Sequence, residues 1–180
     1  MKNSIDGSWT LFLDRDGVIN QRIFGGYVTK AEDFVLLENL PQAIKRFNDL
    51  FSRVLVVTNQ QCIGKGLASE RNIMDVHDYL SEQLSKEGAK IDAYYFAPEL
   101  SSDVNNTRKP KPDMGLKAKS DFPEIDFNKS VMVGDTDTDI QFGQGLGMKT
   151  VRIKTEEKIK VEADLTFSSL WEFSNYLIEE

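Results

Sequence analysis

Four short strings place chemically able side chains just beyond apolar runs. Leu11-Phe12-Leu13 ends in Asp14-Arg15-Asp16-Gly17, two carboxylates one residue apart and then a glycine. Val54-Leu55-Val56-Val57 ends in Thr58-Asn59-Gln60, a hydroxyl and two amides. A polar, proline-bearing stretch carries Arg108-Lys109-Pro110, and Val131-Met132-Val133 ends in Gly134-Asp135 with Asp137 and Asp139 beyond it. An apolar run that stops at a polar residue reads as a buried parallel strand leaving its sheet. In open α/β sheets ligands bind at those carboxyl ends, so the four strings converge on one rim. Three or four carboxylates there repel one another unless a cation neutralises them. Donors that are all oxygen favour magnesium over zinc or copper. A hydroxyl, an amide, a lysine and an arginine beside such an ion suit a phosphoryl group. A carboxylate next to that group can act as nucleophile and form an aspartyl-phosphate.

Any one of these strings has a plainer reading, since Asp-Gly is a frequent turn. What gives them weight is the framework that would hold them. Strands are expected at 9–13, 54–57, 91–97, 131–133 and 150–153, with a short edge strand at 164–167. Helices alternate with them. One starts at Pro41, where proline suits a first turn, and continues through Ala43, Ile44, Phe47 and Leu50. Ser69 is a good N-cap for a long helix with Ile73, Val76, Leu80 and Leu84 on its buried face and Gly88 at its C′ position. Shorter helices are expected at 113–120, from about Thr138, and through Leu170, Trp171, Phe173, Tyr176 and Leu177. Such alternation implies an α/β fold, a doubly wound parallel sheet covered on both faces. Residues 1–8 read as a loose leader and 21–37 as a hairpin or flap around Gly25-Gly26. No repeat or linker divides the chain, so residues 1–180 are expected to form one domain.

Bulk properties narrow the class. The chain has 180 residues, enough for a sizeable core, with 28% charged residues and a net charge of −7. That balance argues against a nucleic-acid partner held by a basic surface. One cysteine forms no intramolecular disulfide and no cysteine-rich zinc site. With no apolar run long enough for a membrane span, the expectation is a soluble, cytoplasmic protein that engages no membrane. Nothing in the sequence bears on oligomeric state.

The four strings, in this order, resemble the motifs of the haloacid dehalogenase (HAD) superfamily of phosphotransferases. Those motifs are Asp-x-Asp-Gly after strand one, Thr or Ser after strand two, a Lys, and Gly-Asp-x-x-x-Asp after strand four. The resemblance implies a HAD-type, Rossmann-like sheet with a minimal cap and a magnesium-dependent phosphomonoesterase. It implies Asp14 as nucleophile, Asp16 as general acid/base, and Thr58 and Lys109 as holders of the phosphoryl oxygens. Magnesium would be bound through Asp14, Asp16 and Asp135, with Asp139 orienting its neighbours more than binding. Arg15, Asn59 and Arg108 are implied to reach toward the substrate. The wider strings Asp14 to Asn20, Thr58-Asn59-Gln60 and Arg108-Lys109-Pro110 resemble the histidinol-phosphate and heptose-bisphosphate phosphatase branch. Gly26-Tyr27-Val28 and Gly64-Lys65-Gly66 lean toward the heptose enzymes, so a heptose 1,7-bisphosphate is expected ahead of histidinol phosphate. One departure stands out. That branch usually carries a zinc loop of three cysteines and a histidine before Arg-Lys-Pro, whereas 98–107 contains neither residue. No zinc is therefore expected.

Rival readings are weaker. A receiver-like phosphoacceptor domain would also use an acidic magnesium pocket, but its acceptor Asp ends the third strand, and here that strand ends in Tyr94-Tyr95-Phe96-Ala97. A polynucleotide 3′-phosphatase shares the motifs, but the chain lacks a basic stripe. Cys62 reads as a small buried hydrophobe and His77 as a surface or packing residue. Lys111 is the alternative to Lys109, and Asp137 the alternative to Asp139.

Overall fold

The computed structural model describes residues 4–178. Six parallel strands form one sheet in the order β3-β2-β1-β4-β5-β6. They are β1 (Thr10–Leu13), β2 (Arg53–Asn59), β3 (Ala93–Ala97), β4 (Ser130–Gly134), β5 (Lys149–Ile153) and β6 (Leu165–Phe167). The helices are α1 (Leu40–Leu50), α2 (Glu70–Ser85), α3 (Asp113–Asp121), α4 (Asp137–Gly145) and α5 (Leu170–Ile178). Strand order reverses at β1, which pairs with β2 on one side and β4 on the other. A crevice opens at such a switch point, outside the carboxyl ends of the strands.

The strands alternate as a two-residue period requires. Leu11, Leu13, Val54, Val56, Val131 and Val133 pack in one layer with Ile44 and Phe47 of α1, Val76 and Leu80 of α2, and Phe173 of α5. Phe12, Leu55, Val57 and Met132 point the other way, onto Met114 of α3 and Phe142 of α4. Both faces are covered, so the inner strands read as unbroken apolar runs. β2 extends two residues beyond its expected end, and Thr58 and Asn59 are its last two residues, paired to Phe96 and Ala97.

Three local expectations need correction. Gly88 lies beyond the C-cap residue Lys86, at φ +68. Residues 1–3 lie outside the described residues, and from Ser4 the expected loose leader is docked. Trp9 N donates to Asp6 O (3.0 Å) and Ile5 packs against the core. The 21–37 segment is no hairpin. It has a single antiparallel bridge, Asn20 to Leu36, and a 3-10 turn at Ala31–Asp33. Val28 and Phe34 anchor it in the core. Among the described residues, no helix is long and apolar enough to cross a membrane.

Candidate active site

Asp14 is the first residue beyond β1, and its N–H donates to Val133 O of β4 (2.9 Å). That bond fixes its side chain at the switch point, on the floor of a cleft of roughly 180 Å³. Asp135, the first residue beyond β4, faces it. Gly17 allows the approach: it adopts φ +93, and a Cβ there would run into the Asp135 carboxylate. The third carboxylate comes from α4. Thr136 caps that helix, and Asp139 closes a capping box by accepting from Thr136 N (2.9 Å) and Thr136 Oγ1 (2.7 Å). Oxygens of Asp14, Asp135 and Asp139 all lie within 4.8 Å of one another.

Lys109 is buried between two of them. Its ammonium meets Asp14 Oδ1 (2.7 Å), Asp139 Oδ1 (2.6 Å) and Val57 O (2.7 Å), a use for each of its three donors. Burial works against its charge, but Asp139 and Asp14 outweigh burial and raise its pKa. Asp14 is pushed up to about 6, first by burial and then by Asp139 and Asp16, against the pull of Lys109. Asp135 is pushed up to about 7 by burial and by the Asp14 and Asp139 charges, with Arg22 opposing. One lysine thus does not neutralise the three carboxylates. Arg22 Nη1 reaches Asp135 Oδ2 (3.2 Å), while Asp135 Oδ1 is buried with no hydrogen-bond partner.

Asp16 borders the same cleft. Arg15 Nη2 (2.8 Å), Asn20 Nδ2 (2.9 Å) and Gln60 Nε2 (3.1 Å) donate to it. Burial raises its pKa, but the Arg15 charge and these hydrogen bonds prevail and hold it below the usual carboxylate range. Thr58 also borders the cleft, nearly buried, from the end of β2.

Of the residues expected to reach the substrate, Arg15 turns elsewhere, and Asn59 lines the cleft while bracketing Lys109. Arg15 is 0% exposed and does not border the cleft; its guanidinium runs beneath, to Asp16 and Val28 O (3.3 Å). Side chains along extended chain alternate in direction, so the arginine between two cleft carboxylates points away from them. Asn59 edges the cleft, but its amide is spent on Lys109. Oδ1 accepts from Lys109 N (2.9 Å) and Nδ2 donates to Lys109 O (3.2 Å). It brackets the loop that delivers the lysine. Arg108 does border the cleft, steadied by Glu99 O (3.2 Å). Lys111 instead braces its own loop through Val104 O and Asn106 O. Asp137 pairs with Arg152 (2.8 Å), outside the carboxylate cluster.

Other groups at the site were not among the residues expected to act there. Arg22, Tyr27 and Gln61 line the cleft, and the 21–37 segment forms one wall of it through Ile23, Gly26, Tyr27 and Val28. Arg152, buried in β5, donates to Asp135 O (2.9 Å) and so anchors the main chain at that carboxylate. A charge set between Val151 and Ile153 on a β-branched strand was its signal. Cys62 is buried, as read, and His77 is a packing residue stacked on Tyr94 with ring centroids 4.6 Å apart.

Residues 106–171 match the model of the HAD-hydrolase-like family. The D-glycero-alpha-D-manno-heptose-1,7-bisphosphate 7-phosphatase of Mycobacterium tuberculosis is 35% identical over 171 residues, 92% of this chain and 90% of that protein. The chain belongs to the family of these phosphatases, within the HAD superfamily. The Campylobacter jejuni enzyme of the same name is also 35% identical, over 94% of this chain and 96% of its own. Among solved structures, a D,D-heptose 1,7-bisphosphate phosphatase from B. bronchiseptica, complexed with magnesium and phosphate, superposes with a TM-score of 0.84. It shares 24% identity, over 94% of this chain and 98% of that one. This HAD phosphatase therefore has a fold seen in its relatives, and its acidic cleft is where its hydrolytic chemistry is to be sought.

Proposed function

We propose that the enzyme, working in the cytoplasm, releases inorganic phosphate from the 7-position of D-glycero-D-manno-heptose 1,7-bisphosphate by way of an aspartyl-phosphate on Asp14. The observation that carries this reading is the Lys109 ammonium held between Asp14 and Asp139 on the cleft floor, with Asp16 alongside. Relatives named for that reaction, 35% identical over more than nine-tenths of the chain, support the choice of substrate.

A magnesium ion fits the residues present. The donors are all oxygen, Asp135 Oδ1 is buried and unpartnered, and the Asp14 and Asp135 pKa values are raised by burial and by neighbouring carboxylates. The Asp14 and Asp135 side chains and the Asp16 carbonyl would hold it. Both Asp139 oxygens are engaged, by Lys109 and Thr136, which suits a supporting role. Bound there, magnesium supplies charge neutralisation and an in-line alignment of the phosphoryl group.

The chain's own residues then act in two steps. Asp14 attacks phosphorus, forming an acyl-phosphate bond as the phosphorus bond to the C7 oxygen breaks, and Asp16 gives that oxygen its proton. In the second step Asp16 takes a proton from water as the water oxygen attacks phosphorus; phosphate leaves and Asp14 is restored. Lys109 and Thr58 hold the equatorial oxygens as charge builds on them. The pKa of Asp16, held low by its donors, suits the base role of the second step. Arg108, on the cleft rim, faces the part of the substrate that is not transferred.

The test is a side-by-side comparison of kcat/KM on heptose 1,7-bisphosphate and histidinol phosphate, with and without magnesium. The expected result is preference for the heptose and loss of activity on chelation, restored by magnesium. A clear preference for histidinol phosphate, or activity restored only by zinc, would contradict it.

A further inference from the structure

We infer that Gln60 is a positioning residue that sets the direction of both the Asp16 carboxylate and the Thr58 hydroxyl. The inference rests on the roles given to those two residues above. Gln60 is 1% exposed and does not border the cleft, so it touches no substrate. It follows the last residue of β2, and its N–H donates to Ala97 O at the end of β3 (2.8 Å), so its Cα is fixed by the sheet. Its side-chain amide nitrogen has two hydrogens and two acceptors in reach, Thr58 Oγ1 at 2.8 Å and Asp16 Oδ2 at 3.1 Å.

With Asp16 ionised, as the second step has it, the amide has one workable orientation. The carboxylate then accepts and cannot donate, so turning the amide would set Oε1 against Asp16 Oδ2. On the other side Cys62 Sγ lies 3.7 Å from Oε1, a weak donor facing the acceptor end. The consequence reaches Thr58. A hydroxyl has one hydrogen, and an oxygen already accepting from Gln60 has that hydrogen left to donate. The other side of Thr58 faces the cleft, so the hydrogen is directed toward a phosphoryl oxygen. At Asp16 the same amide holds Oδ2 together with Arg15 Nη2 (2.8 Å), while Asn20 and Arg15 hold Oδ1. The carboxylate is thereby fixed against rotation out of line with the leaving oxygen. Gln60 couples the group that moves the proton to one that holds the phosphoryl, from behind both.

The variant that separates this role from mere packing is Gln60→Met, which keeps length and burial and removes both donors. Its kcat and KM are measured on p-nitrophenyl phosphate, whose leaving group needs no proton, and on the best alkyl phosphate of a sugar-phosphate panel. A mispositioned Asp16 predicts a kcat/KM, which reports the first step alone, lower by about 100-fold on the alkyl phosphate and by less than about tenfold on p-nitrophenyl phosphate. Gln60→Leu removes both donors without adding a charge and provides the same comparison if the methionine variant does not fold. Equal losses on both substrates, an effect confined to KM, or unchanged kinetics would overturn the role of Gln60 and leave the reading of Asp16 intact. A wild-type protein inert on every phosphomonoester would overturn both.

Discussion

Lys109 is the residue on which the electrostatics of the cleft turn. It neutralises part of a buried cluster of carboxylates, and in the proposed reaction it meets the charge that grows on the transferred phosphoryl group. Its loss should therefore weaken the transition state more than the ground state. Lys109→Ala is expected to lower kcat and kcat/KM together, by about 10²–10³-fold; an effect on KM alone, seen in steady-state kinetics, would contradict the role. His77 offers a residue-scale test of the fold. Its pKa is pushed down to about 3, first by burial and then by the Arg15 charge. The unfolded chain takes up that proton near pH 6.5 and the native protein does not. The native state thus keeps its full advantage above pH 6.5 and loses it as pH falls toward 3, by about 1.4 kcal/mol per unit. Urea unfolding of wild type and His77→Phe at pH 7 and pH 5 checks this. The wild type should lose about 2 kcal/mol more than the variant over that interval, and parallel losses would contradict it. The residue types of the site were legible in the sequence, but their directions were not. Arg15 and Asn59 sit between or beside cleft residues, and only side-chain rotamers reveal that one runs beneath Asp16 and the other brackets Lys109.

At the scale of elements, the carboxyl ends of β1, β2 and β4 deliver Asp14, Thr58 and Asp135, and the first turn of α4 delivers Asp139. The strands were readable because each inner strand is buried on both faces and stands out as an apolar run. The 21–37 segment was not, because its order comes from Val28 and Phe34 entering the core rather than from a ladder. Its Arg22 and Tyr27 reach the cleft for the same tertiary reason. The α4 capping box ties stability to the site, since Thr136 holds the oxygen of Asp139 that Lys109 does not. Thr136→Ala should cost about 1 kcal/mol in urea unfolding and also lower kcat, because Asp139 loses the hydroxyl donor that fixes it against Lys109. A stability loss with unchanged kcat would assign Thr136 to the helix alone.

For the whole molecule, the site is a concentration of like charge placed at the sheet's switch point, and the fold tolerates it for function. Asp135, raised to about 7, binds a proton more tightly when folded than when unfolded, so its contribution to stability is present at low pH and lost as pH rises through 7. Asp135→Asn should accordingly melt higher than wild type at pH 8 without metal. Wild type should gain in Tm with added magnesium, since an ion that binds only the native state stabilises it, and the variant should not. Equal magnesium-dependent gains in both proteins would remove Asp135 from the metal site. The central claim is that Asp14 makes the first bond to phosphorus. The measurement that tests it most directly is steady-state phosphate release from heptose 1,7-bisphosphate by Asp14→Asn, with folding verified by its thermal transition. The account predicts a folded protein whose turnover is nearly abolished at saturating magnesium. Substantial turnover by that folded variant would contradict it.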